Sequence, residues 1–276
     1  MSPSRRLELP LSPDPEEADL SQIFVDAKVD GEACRLLFDT GARRTTVPWS
    51  PRLAALSQTR DDGGRGVSGA VSEATVVTVD ELSVGPYTER GLAVELLPRE
   101  SAAPAVLGMD VIGGACGEFA FDAERLVIDA PAPTSAPLWP LDSEPRRQPT
   151  VPLAIADTVT DAVWDTGASI TVVDQGWAAA HPGAITPDGS VSTGTDSAGR
   201  SVSSTGGRLS ACEIGGLEFA ATRCAVVDLS PVNEHLANPL TVILGLPVLL
   251  QATWWMDFPG RRWAVVRPAP GPARSR

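Results

Sequence analysis

Apolar and polar positions along this chain alternate with a period of two, in short runs broken by turn residues. Ile23-Phe24-Val25-Asp26-Ala27-Lys28-Val29 reads as a strand, and Asp30-Gly31 as the turn that sends it back. Cys34 to Phe38 is the returning strand. Val71 to Val79, Glu81 to Val84 and Leu92 to Leu96 read as further strands. Val106 to Ile112 is an apolar segment broken by Gly108, and Phe119-Ala120-Phe121-Asp122 with Leu126-Val127-Ile128 forms a last hairpin. Near the start, Leu7-Glu8-Leu9-Pro10-Leu11 alternates as an edge strand, where proline is tolerated. Ser50-Pro51 opens a short helical patch reaching Leu56. The polar, Gly-rich stretch from Arg60 to Gly69 predicts a hairpin with Gly66-Val67-Ser68-Gly69 at its tip.

After an Ala/Pro-rich linker the pattern restarts, which changes the fold expected. Leu138-Trp139-Pro140-Leu141 echoes Leu9-Pro10-Leu11, and Val151 to Ile155 echoes Ile23 to Val29. Asp174 opens a helical patch from Trp177 to His181, as Ser50 does. Asp196-Ser197-Ala198-Gly199 falls where Gly66 to Gly69 fell. Val242 to Leu249 matches Val106 to Ile112, and Trp254 to Asp257 with Trp263 to Val266 matches the last hairpin. The chain therefore divides into a tail (1–6), a first unit (7–130), a linker (131–136), a second unit (137–267) and a second tail (268–276). Both tails are expected to be disordered. The fold class is all-β, built as two equivalent units.

Composition agrees with many turns and short strands. Glycine and proline number 25 each, and 43% of residues are hydrophobic, enough for a core. The net charge of −13 predicts neither a nucleic-acid nor a membrane partner, since both need a basic face. Cys34, Cys116, Cys212 and Cys224 have no metal-ligand spacing, so no metal or other cofactor is expected. No apolar signal segment or membrane span is seen, and the expectation is a cytoplasmic protein.

The chemistry lies in a four-residue motif that occurs twice. Asp39-Thr40-Gly41-Ala42 follows Leu36-Leu37-Phe38, and Asp165-Thr166-Gly167-Ala168 follows Ala162-Val163-Trp164. Each precedes a β-branched run, so each Asp sits on a tight turn between strands. A duplicated architecture lets two such turns meet across a pseudo-two-fold axis, as an isologous dimer would.

With the motif, the hairpin tip and the apolar-Gly segments Leu107-Gly108 and Leu244-Gly245 all doubled and in order, the chain resembles the retropepsin-like aspartic peptidases. The resemblance implies two pseudo-two-fold-related β-barrel lobes of acid-protease type, with the active site between them. It implies a single-chain, pepsin-like plan, hence a monomer. It assigns Asp39 and Asp165 as the catalytic dyad, supported by Thr40, Gly41, Ala42, Thr166, Gly167 and Ala168. Gly66, Val67, Ser68, Gly69, Asp196, Ser197, Ala198 and Gly199 become substrate-binding flap tips. The substrate implied is a protein or peptide in extended conformation.

Two carboxylates held together cannot both ionise easily, so one keeps a proton. The pair can then activate water and polarise an amide carbonyl. Ala42 and Ala168 lack the hydroxyl of Ser-containing relatives, which should keep the pair's pKa values higher and extend activity toward neutral pH. The function expected is an aspartic endopeptidase. The alternative is the same scaffold repurposed for acid–base chemistry, a cyclisation or dehydration, on a small biosynthetic intermediate. A non-catalytic peptide-binding module is a third reading, disfavoured by two retained Asp residues. The halves also depart from each other. Arg43-Arg44 follows the first motif and Ser169-Ile170 the second; Met109-Asp110 follows the first apolar-Gly segment and Leu246-Pro247 the second. The Arg pair could lower the dyad pKa, bind an acidic substrate, or face solvent.

Overall fold

The computed structural model describes residues 5–14, 17, 19–141, 147–196 and 199–268. Among the described residues strands dominate, and the longest helix, Gln175–Ala180, has 6 residues. Among the described residues no helix is long and apolar enough to cross a membrane. The tail positions 1–4 and 269–276 and the tip residues Ser197 and Ala198 lie outside the described residues.

Each half builds a sheet around its motif. In the first, the order runs Val106–Leu107, Glu32–Phe38, Ser21–Val29, Val71–Val84, Tyr87–Leu96, Thr46–Val47. In the second, Val242–Leu244 lies between Thr158–Trp164 and Thr171–Asp174, and Thr150–Ile155 pairs with Thr158–Trp164. The strand leading to each Asp thus has an antiparallel partner on one side. On the other it has a short parallel strand from the apolar-Gly segment.

A third sheet joins the halves. Its order is Arg6–Glu8, Arg125–Ile128, Cys116–Ala120, Ala252–Asp257, Arg262–Pro268, Trp139–Pro140. The last hairpin of each half pairs antiparallel with that of the other, with Phe119 opposite Trp254. The aromatic residues pack around this junction. Phe119 is fully buried, its ring centroid 6.1 Å from Phe38 and 5.2 Å from Trp164. Phe38 and Trp164 are the residues directly before Asp39 and Asp165. One shared aromatic core therefore anchors both turns from beneath, and truncating such a ring costs about 3–5 kcal/mol.

Three expectations change. Leu7 to Leu11 is two strands, Arg6–Glu8 and Leu11–Pro13, which serve different sheets; Pro10, with no N–H, falls between them. Arg6 and Pro268, assigned to the tails, belong to paired strands. Val71 to Val84 is one strand of 14 residues, although its buried positions change face across Asp80, from Val77 and Val79 to Leu82 and Val84.

Candidate active site

Both Asp residues are delivered in the same way. The Asp39 N–H donates to the Leu107 carbonyl (3.1 Å) and the Asp165 N–H to the Leu244 carbonyl (3.0 Å). The chain then turns back on the carboxylate. Gly41 and Ala42 N–H donate to Asp39 Oδ1 (2.7 and 2.9 Å), and Gly167 N–H donates to Asp165 Oδ1 (2.8 Å). Behind each turn passes a glycine, Gly108 or Gly245. A Cβ on either would lie 2.6 Å from backbone carbon, of Arg44 or Ile170, so no other residue fits.

The two turns are tied to each other by their threonines. Thr40 Oγ1 donates to the Trp164 carbonyl (2.7 Å) and Thr166 Oγ1 to the Phe38 carbonyl (2.7 Å). Each Oγ1 also accepts the other threonine's N–H, at 3.0 and 3.1 Å. Both residues are fully buried, so these four bonds are shielded from water. The result is a close approach of the carboxyl groups. A Cβ on Gly41 would collide with the Asp165 carboxylate, and one on Gly167 with that of Asp39. Asp39 and Asp165 share a side-chain hydrogen bond.

This environment raises both carboxyl pKa values. Burial is the first cause for Asp39, followed by the neighbouring charge and hydrogen bond of Asp165, and it lifts the group well above the ordinary range. Burial also raises Asp165, against the opposing effect of the Gly167 N–H. The shared proton belongs to the pair.

A family model described as aspartyl protease matches residues 25–111 and again 151–248. The chain belongs to the aspartyl protease family. Each matched stretch contains one Asp-Thr-Gly-Ala turn, so this aspartyl protease carries both turns in one chain. No curated protein matches it.

The remaining sequence-derived residues fall into two groups. Gly66 to Gly69 closes the hairpin of Gln58–Arg65 and Val71–Val84, with Gly69 N–H donating to the Gly66 carbonyl (2.9 Å). Asp196 and Gly199 flank the equivalent turn between Ile185–Thr195 and Ser201–Leu209, again with a 2.9 Å bond from Gly199 N–H to the Asp196 carbonyl. The Arg pair separates. Arg43 is exposed, whereas Arg44 is drawn to Asp61 (2.9 Å) on the first hairpin and to Glu95 (3.5 Å). Asp110, visible in the sequence only as a departure between halves, accepts both the N–H and the hydroxyl of Thr45, at 2.9 and 2.7 Å. Gln148 had no sequence signal. Its side-chain amide donates across the interface to the Gly41 carbonyl (2.7 Å), within the first turn. Among the described residues, no group of three His, Cys, Asp or Glu is arranged to hold a metal ion.

Proposed function

We propose that this aspartyl protease is an endopeptidase in which Asp39 and Asp165 act as a dyad on an extended peptide. The observation that carries the reading is the contact of two half-buried carboxyl groups from two equivalent turns, with both pKa values raised. With one proton between them, the ionised member takes a proton from water. The protonated member donates to the carbonyl oxygen of the scissile amide. A tetrahedral diol forms, and the proton passed to the dyad is returned to the departing amine. The N–H groups of Gly41, Ala42 and Gly167 hold the carboxylate planes while this occurs. Thr40 and Thr166 keep the separation fixed, which is the positional part of the catalysis. Both carboxylates come from one chain, which supports a monomer.

The test is cleavage of an unstructured protein substrate over a pH series, with mass spectrometry of the products in ¹⁸O-labelled water. Incorporation of one label at each new carboxyl terminus, abolished by Asp39→Asn and by Asp165→Asn, is expected. Cleavage that persists in either variant would refute the dyad.

A further inference from the structure

The two ends of the dyad are built alike and finished differently. Thr150 pairs with Val163 and Phe24 with Leu37, and each pair stands two residues before its Asp. Gln148 and Gln22 are therefore equivalent positions. Gln148 bridges the halves, its amide donating to the Gly41 carbonyl (2.7 Å) in an exposed hydrogen bond. Gln22 donates instead to Asp14 Oδ2 within its own half (3.0 Å). The segment carrying Gln148 also brings Arg147 to the Gly41 end. Arg43 extends the same end, where the second turn has Ser169. The Arg43 backbone is held from behind. The Ala42 carbonyl accepts the Met109 N–H (2.8 Å), and the Arg43 carbonyl accepts that of Asp110 (3.2 Å). Its side chain is exposed, so it lies on the solvent side of the turn, from which a substrate must reach Asp39. Among the described residues no carboxylate pairs with Arg43. In a chain with 35 acidic and 22 basic residues, that leaves a cation beside the catalytic turn open to a carboxylate from outside.

We propose that Arg43 sets specificity by binding an Asp or Glu side chain of an extended peptide, on the Gly41 side of the scissile bond and not on the Gly167 side. The inference rests on the peptidase reading for the course of the peptide, and on Arg43 alone for the affinity toward a carboxylate. A peptide laid across two turns related by a pseudo-two-fold axis has one arm over each turn. The arm over the first meets a guanidinium, whose planar fork matches a carboxylate with two parallel N–H donors. The arm over the second meets Ser169, a neutral hydroxyl that serves a carboxylate and an amide alike. The inner parts of the site do not distinguish the arms, since the threonine bonds and turn glycines recur on both sides. Charge is read at the rim. The other carboxylates of that corner are engaged, Asp61 and Glu95 with Arg44 and Asp110 with Thr45, so they do not compete for Arg43. Arg43 binds substrate away from the scissile amide and takes no part in proton transfer.

End-blocked peptides in which a single Glu is walked along the sequence, each paired with its Gln counterpart, test the inference on the full chain. kcat/KM is expected to favour Glu over Gln by roughly tenfold at one position on one side of the cleaved bond, the worth of one charge-assisted hydrogen bond. Arg43→Ser, which copies the second turn, should abolish that preference. Arg43→Lys should keep part of it, and Arg43→Glu should transfer it to peptides carrying Lys. A wild type indifferent to Glu, a preference equal on both sides of the bond, or one that survives Arg43→Ser would overturn the proposal. The same peptide pairs are measured for binding to Asp165→Asn, with and without Arg43→Ser, by calorimetry. Tighter binding of the Glu peptide, lost when Arg43→Ser is added, is expected. If the wild type cuts no peptide while this difference stands, the peptidase reading fails and the carboxylate site survives. Equal binding of Glu and Gln peptides overturns the carboxylate site whatever the turnover.

Discussion

The two halves hold their Asp residues with the same inner parts and different outer ones. Around Asp39 and Asp165 the threonine bonds, the turn glycines, the parallel strand and the glycine behind it all recur. One step further out the likeness ends. In the first half Asp110 binds Thr45 twice, and Arg44 reaches Asp61 and Glu95. In the second, Pro247 and Ile170 hold those places, and Thr171 supports the turn by accepting the Gly245 N–H alone (3.2 Å). What must be equivalent is whatever sets the distance between the carboxyl groups. What surrounds it is free to diverge, because the two sides of a peptide's scissile bond are themselves different.

Replacing either Asp tests the equivalence most severely. Asp39→Asn and Asp165→Asn should each cut kcat by on the order of 10⁴-fold, as removal of one member of a catalytic unit does. A residual rate that differs widely between the two would mean the inner parts are unequal. Next in size is the threonine pair. Thr40→Val and Thr166→Val each leave a buried N–H and carbonyl without a partner, at about 1–3 kcal/mol per group. Matched losses of thermal stability, together with a fall in kcat, are expected from the two variants.

Smaller effects should fall on one half only. Asp110→Ala removes two bonds to Thr45 and is expected to cost about 1–3 kcal/mol in chemical denaturation. Arg44→Met should cost less than about 1 kcal/mol, and the difference should shrink in high salt, because Asp61 is half-exposed.

The pH dependence bears on the pair as a whole. Because burial raises both carboxyl pKa values in the folded state, their stabilising contribution is fully present below the unfolded carboxylate pKa. It is lost as pH rises through the folded values. Either Asp→Asn change should therefore raise the melting temperature at neutral pH, by about 2–4 °C for each kcal/mol relieved. The same shift predicts a pH–rate profile whose alkaline limb lies above the pepsin value of about 4.7.

Much of this was legible in the sequence because it was periodic or repeated. Alternation in Ile23 to Val29 and Val71 to Val79 gave strands, and two Asp-Thr-Gly-Ala motifs after apolar runs gave a pair of turns. The interactions that escaped detection join residues distant in sequence and carry no period. Val67 is a lone valine in a polar stretch, and nothing local links it to Val232. Gln148 precedes a proline in an ordinary-looking loop, yet donates to Gly41. Arg44 and Arg43 are identical letters with opposite fates, set by where Asp61 and Glu95 happen to fold. The break at Pro10 was legible as edge character, but that the two pieces join different sheets was not.

The joining sheet also imposes an order on the chain's synthesis. Cys116–Ala120 pairs at once with Arg125–Ile128 but finds its other neighbour, Ala252–Asp257, only far later in the chain. Until that segment leaves the ribosome, Phe119 lacks Trp164 and Trp254 as a complete surrounding. Thr40 meanwhile waits for Thr166. Contacts so far apart in sequence form late and slowly. A growing chain therefore holds one carboxylate turn with no opposite number until the second half has been made.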